Sequence, residues 1–229
     1  MKYLLTFFLS ITLAFSQSSD EFDTEFNDKN TFDPLSGYNR MMTSVNDKIY
    51  TYIFDPVVDG YRYVVPAKGR EVIANVFDNL LFPLRFVNNI LQFKFQNAAD
   101  ETLRFIANTI VGFGGISDVA TTYYKIPRHD EDFGQTLGHW GVGSGFHIVW
   151  PIFGPSNLRD TFGLVGDFFA KPINYVNPNE LSLGLNVGSK TNEMAQNPDM
   201  YKNLKKDAVD LYPFLRDAYE QRRDYLIKE

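Results

Sequence analysis

No cysteine occurs among the 229 residues. That excludes disulfides, thiolate metal ligands and thiol nucleophiles, and also the thioether-linked lipid that needs a cysteine at the cleavage point. Basic clusters are equally scarce. With a net charge of −6 and no basic run longer than Lys205-Lys206 or Arg222-Arg223, the chain has nothing to neutralise a row of phosphates, so nucleic-acid binding is excluded as a function class. Charge is missing altogether from Phe133 to Leu158. Such a run is long enough to cross a bilayer, yet Gly134, Gly138, Gly141, Gly143, Gly145, Gly154, Pro151 and Pro155 interrupt it too often for a simple spanning helix.

What is present is aromatic. Phe, Tyr and Trp make up 16% of a chain that is otherwise ordinary in its 44% hydrophobic and 22% charged residues. The excess suits a packed core or a surface meeting a membrane interface. At the start, Lys2, the apolar stretch from Tyr3 to Phe15 and the small-x-small triplet Ala14-Phe15-Ser16 read as an export signal, residues 1–16. Residues 17–33 read as a flexible acidic arm and 34–229 as a single domain.

Within that domain the periodicity predicts mostly α structure. Met41, Met42, Val45, Ile49 and Tyr52 share one helical face that should stop before Asp55-Pro56. Pro66 and Pro83 each open a further helix, and Phe95, Ala99, Leu103, Ile106 and Ile110 stripe the clearest one, with Gly112 as its stop. A short helix is expected within Ile116–Tyr124, an extended or hairpin-like segment around Phe146 to Trp150, an amphipathic helix carrying Leu158, Phe162, Val165 and Phe169, a polar region, and a C-terminal helix with Leu211, Phe214, Leu215, Ala218 and Tyr219 on one face.

The constellations that could carry chemistry do not hold together. His129, Asp130, Glu131 and Asp132, with His139 and His147 downstream, lack the helical spacing of a metal site and read as a solvated loop, so no metal or cofactor is expected. Gly143-Ser144-Gly145 lacks the outer glycines of a nucleophile elbow, and Gly112-Phe113-Gly114-Gly115 has Ser117 where a dinucleotide fingerprint needs its last glycine. No catalytic residue is assigned and the chain is not read as an enzyme. Two readings of the uncharged stretch stay open: a glycine-rich surface loop packed on the core, and a membrane-embedded segment in which Phe146, Ile148, Val149, Trp150, Ile152 and Phe153 form an apolar face.

Many ordered blocks resemble one family. Tyr38-Asn39-Arg40-Met41, Asn46-Asp47, Val65-Pro66, Asn79-Leu80, Arg104-Phe105, Asn108-Thr109 and Asp118-Val119-Ala120 lead to the most specific stretch, Glu131-Asp132-Phe133-Gly134-Gln135-Thr136-Leu137-Gly138. Gly141-Val142-Gly143, Gly154-Pro155, Leu158-Arg159-Asp160, Asp210, Tyr212, Arg216, Tyr219 and Gln221-Arg222-Arg223 follow. Together they resemble the VacJ/MlaA family of outer-membrane phospholipid transport components.

The resemblance implies a ring of amphipathic helices embedded in the periplasmic-side leaflet of the outer membrane, with a central amphipathic channel. Phospholipids misplaced in the outer leaflet would descend that channel to a periplasmic, MlaC-like lipid carrier, and a trimeric porin would be a further partner. It also implies a channel-gating hairpin carried by Gly138, Gly141, Gly143 and Gly145, channel or helix-turn glycines at Gly112, Gly114 and Gly115, and a porin contact at Ile110 and Val111. One departure stands out: the family is normally lipid-anchored, whereas Ala14-Phe15-Ser16-Gln17 contains no cysteine, so attachment without a lipid anchor is expected.

Overall fold

The computed structural model describes residues 32–229. The expected signal peptide, residues 1–16, and all but the end of the expected arm, residues 17–33, lie outside the described residues. Asp33, the last residue assigned to that arm, is tied to the body by the Tyr212 hydroxyl and by Arg216.

Helix α1, Ser36–Ile49, runs on through a π-helical turn, Tyr50–Phe54, into α2, Asp55–Val64. The expected stop before Asp55-Pro56 is therefore absent. Pro56 has no N–H for the normal bond, and the wider turn absorbs the loss: Asp55 N–H donates to Tyr50 O, five residues back, and Pro56 falls in the first turn of α2, where it is tolerated. Helices α3 (Ala67–Leu80), α4 (Phe82–Leu91), α5 (Phe95–Ile110) and the short α6 (Val119–Thr122) stand where the periodicity predicts them.

Two parts of the chain are more regular than expected. The start of the uncharged stretch is a helix, α7 (Phe133–His139), capped by Asp132, whose carboxylate accepts Gln135 N–H at 2.8 Å. Strands β1 (His147–Trp150) and β2 (Gly154–Asn157) then pair antiparallel, His147 facing Asn157 and Trp150 facing Gly154. After α8 (Leu158–Ala170) and a 3-10 turn, the polar region is also helical, as α9 (Asn179–Gln196) and α10 (Met200–Asp207), before α11 (Leu211–Lys228). Glycines 184 and 188 weaken the local signal, but α9 packs along α2 and α3, and tertiary contact overrides propensity.

The free edge of β1 is covered by side chains instead of a third strand. Asn39 Nδ2 donates to His147 O at 3.0 Å while its Oδ1 accepts Val149 N–H at 2.9 Å. Two turns along α1, Asn46 repeats the pattern with Trp150 O at 2.9 Å and Ile152 N–H at 2.7 Å. These amides satisfy a strand edge that would otherwise be left open. Helices α7 and α8 cross at their backbones: a Cβ on Gly163 would lie 2.6 Å from Gly134 N, so only glycine allows this approach.

Candidate functional site

Packing in this protein is reversed relative to a water-soluble one. Among the described residues, ten apolar side chains are buried against 22 polar or charged ones, and the largest fully buried side chains are Glu101, Asn39, Asn88, Asn89, Asn157 and Asn192. Helix α5 illustrates the inversion: Ala98, Glu101, Arg104 and Asn108 point inward, while Phe95, Leu103, Ile106 and Ile110 from the expected apolar stripe are exposed. Helix α8 does the same, burying Arg159, Asp160, Gly163 and Asp167 and exposing Phe162, Leu164, Val165, Phe168 and Phe169. At about 1 kcal/mol for each half-exposed side chain, moving that one face from water into hydrocarbon is worth on the order of 5 kcal/mol. No helix among the described residues is long and apolar enough to cross a membrane.

The buried polar groups form connected networks. Arg223 on α11 reaches Asp132 at 2.6 and 2.8 Å and Asp160 at 2.8 and 3.0 Å, and Tyr219 donates to the same Asp160 at 2.8 Å. Burial opposes ionisation of Asp160, but hydrogen bonds from Arg159 and Arg223 and the charge of Arg223 outweigh it, holding the carboxyl below its usual range. Glu131 gathers Gln92, Gln135 and Lys94 at 2.7, 2.7 and 2.6 Å. Arg85 joins Glu101 to Asp78, and burial pushes the Asp78 carboxyl up despite its arginine neighbours.

Two cavities open on this network. One, of about 180 Å³, has Asp132, Asp160, Asp167 and Arg223 on its polar side and Trp150, Phe153 and Leu164 on its apolar side. The other, of about 260 Å³, lies between Leu81, Leu84, Arg85, Arg128, Glu131 and Lys171, and it shares Asp132 and Asp167 with the first. An amphipathic lining of this kind can hold a molecule with a charged end and an apolar end. Among the described residues no cluster of His, Asp and Glu is arranged to hold a metal ion.

The residues singled out in the sequence separate into distinct places. Gly141, Gly143 and Gly145 lie in the exposed, irregular link between α7 and β1, with φ of +85° at Gly141 and +71° at Gly145. Gly138 does not join them. It sits inside α7, where a Cβ would meet Ile227 Cδ1 at 2.6 Å, so it lets α7 close on α11 and is a packing residue rather than a hinge. Trp150, Ile152 and Phe153 are exposed at the hairpin tip, the last at 85%. Ile148 and Val149 depart from the expected apolar face: they are buried, because β1 is covered by β2 on one edge and by α1 on the other, and Phe146 is half-buried. Gly112 and Gly115 are closely packed in the turn after α5, against Asn108 and Asn79, while Gly114 is open. Ile110, Val111 and Phe113 form an exposed apolar tip at 73%, 51% and 80%.

Asp132, Asp160, Asp167, Lys171 and Arg223 were not assigned to a site from the sequence. A signal was available: Asp160 and Asp167 fall two turns apart on one face of an otherwise apolar helix, which marks that face as turned toward other polar groups.

An α-helical body polar within and apolar without, with amphipathic cavities at its charged network, defines a class of protein built for apolar surroundings. Comparison with known proteins makes the family specific. The family described as MlaA lipoprotein matches residues 31–226, and this chain belongs to that family. The Escherichia coli (strain K12) protein named intermembrane phospholipid transport system lipoprotein MlaA is 34% identical over 198 residues, covering 85% of this chain and 78% of the relative. The Shigella flexneri protein of the same name matches at the same identity and coverage, 34%, 85% and 78%. A solved structure described as "Structural basis for maintenance of bacterial outer membrane lipid asymmetry" superposes with a TM-score of 0.76 at 34% identity, covering 86% of this chain and all of the other.

Proposed function

We propose that this protein removes phospholipids misplaced in the outer leaflet of the outer membrane and passes them toward the periplasm, maintaining lipid asymmetry. The observation that carries the reading is the inverted packing, polar inside and apolar outside. A head group moved through hydrocarbon loses its hydration, and a polar interior replaces that hydration while exposed Phe, Leu and Val side chains remain in the acyl layer. Membership of the MlaA family, with relatives named for intermembrane phospholipid transport, supports it.

In this reading the helices form a ring in the periplasmic-side leaflet around an amphipathic channel, and a soluble periplasmic carrier collects the lipid. The link bearing Gly141, Gly143 and Gly145 gates the channel. The hairpin tip of Trp150, Ile152 and Phe153 anchors in acyl chains, and the Ile110, Val111 and Phe113 tip meets a trimeric porin. These apolar faces contribute to holding the protein at the membrane.

The test measures phospholipid at the cell surface with a label that cannot cross the membrane, in cells with and without the gene. Deletion should raise surface phospholipid and the intact gene should restore it. A Cβ placed on Gly143 would meet no atom within 4 Å, and the φ of this residue is not positive, so Gly143→Trp leaves folding intact and should fail to restore asymmetry if the link gates the path. Unchanged surface phospholipid on deletion would refute transport.

A further inference from the structure

The charged groups lining the two cavities are almost all committed to one another. In the first, Arg223 engages both Asp132 and Asp160, and Tyr219 also binds Asp160. In the second, Arg85 is held by Glu101 and Asp78, Arg128 by Asp78 and Asp130, and Glu131 by Lys94. Two groups of opposite sign are left with capacity. Asp167 is only 7% exposed; its Oδ1 accepts Phe133 N–H at 2.9 Å, and its Oδ2 has no hydrogen-bond partner among the described residues. Lys171 forms no salt bridge within 4.0 Å among the described residues, although its charge is felt at Asp167. Asp167 faces both cavities and Lys171 faces the second.

We propose that the junction of the two cavities is a head-group subsite for a zwitterionic phosphoammonium group, the ammonium against the Asp167 carboxylate and the phosphate against Lys171. This rests on the phospholipid-transport reading above and adds a substrate preference to it. The Asp167 Oδ2 atom opens onto the cavities with no protein donor among the described residues, and an ammonium supplies both a donor and a compensating charge there. Burial pushes the Asp167 carboxyl up, and a cation beside it favours the ionised form. An anionic head group with a neutral glycerol end would satisfy Lys171 and leave Asp167 facing more negative charge. The phosphate stands between the ammonium and the glycerol, so the acyl end would leave on the Lys171 side, where Leu81 and Leu84 line the second cavity.

The experiment uses the full chain in detergent micelles doped with acyl-matched phosphatidylethanolamine or phosphatidylglycerol, with bound lipid counted by native mass spectrometry and transfer between vesicles measured alongside. The wild type should favour phosphatidylethanolamine. Asp167→Asn, which keeps an oxygen for Phe133 N–H, should lower its binding at least about tenfold and erase the preference, the scale of a lost charged hydrogen bond. Lys171→Gln should weaken both lipids alike. Equal binding of the two lipids by the wild type, or a preference that survives Asp167→Asn at unchanged melting temperature, would overturn the subsite and leave transport standing. Failure to bind or move either lipid would overturn transport itself. Displacement of phosphatidylethanolamine by water-soluble glycerophosphoethanolamine at equal concentration would assign the site to a free metabolite and not to a lipid.

Discussion

Replacing Arg223 with methionine removes the cation that joins α11 to the α7 cap and to α8. The guanidinium makes contacts of 2.6 to 3.0 Å with Asp132 and Asp160, and the three side chains are 10%, 31% and 8% exposed. Breaking a buried pair by deleting one partner costs about 3–5 kcal/mol, because the remaining charge is left uncompensated. Asp132 is partly open to water and Asp160 keeps Arg159 and Tyr219, so the lower end applies, about 3 kcal/mol. For a chain of this length that is a fall in melting temperature of roughly 6–12 °C. The assay is thermal unfolding in detergent micelles at neutral pH, followed by far-ultraviolet circular dichroism. Adding Asp132→Asn removes the carboxylate charge left without a cation while keeping an oxygen for Gln135 N–H, and should recover part of the loss, about 1 kcal/mol. Acid adds a second readout. The Asp160 carboxyl is held low, so its contribution is complete above the usual carboxylate range and is lost as pH falls through the lowered value; without Arg223 that loss should begin at higher pH. A drop under about 2 °C, or a double variant no better than the single one, would refute the argument that this ion pair closes the interior.

Asn46→Ala should leave Trp150 O and Ile152 N–H without a protein partner, costing about 1 kcal/mol for each of these part-buried groups and loosening the hairpin tip, read as a lower melting temperature and a shifted Trp150 emission. For Asp118, burial is outweighed by hydrogen bonds from Thr121 and Asn108 and by the charge of Arg104, which hold its carboxyl at about 2. The stability difference between wild type and Asp118→Asn should therefore be full at neutral pH and shrink as pH falls from the usual carboxylate range toward about 2, measured as melting temperature against pH.

Helix positions were readable wherever an apolar stripe repeated at helical spacing, as in α4, α5 and α8, because that pattern has the same period whichever way the face turns. Where the stripe was weak, the helices were not legible. Helix α9 carries Gly184, Gly188 and several asparagines, and its stability comes from packing on α2 and α3. Helix α7 was hidden by its glycines, although Asp132 followed by Gln135 is a capping signal that could have located it. Strand β2, Gly154–Asn157, has no strand propensity, and its pairing depends on β1 and on the loop between them.

The candidate site was legible only in part. Gly141, Gly143, Trp150 and Phe153 stood out by composition and are exposed, but the same reasoning placed Gly138 in the loop, although it packs on α11, and Ile148 and Val149 on the outer face, although they are buried beside β2 and α1. The charged residues at the cavities come from α4, the segment leading into α7, α8 with its C-terminal cap, and α11, and no local pattern pairs Arg223 with Asp132.

The sequence by itself determined the helical class, the positions of most helices and the family. It determined that the helices are amphipathic, but amphipathicity has no sign: a stripe of Phe, Leu and Val can face a core or a surrounding solvent. Only the tertiary structure decided that sign, because burial of Glu101 and Arg223 becomes tolerable once Arg85 and Asp160 meet them from other helices, and no local pattern pairs them.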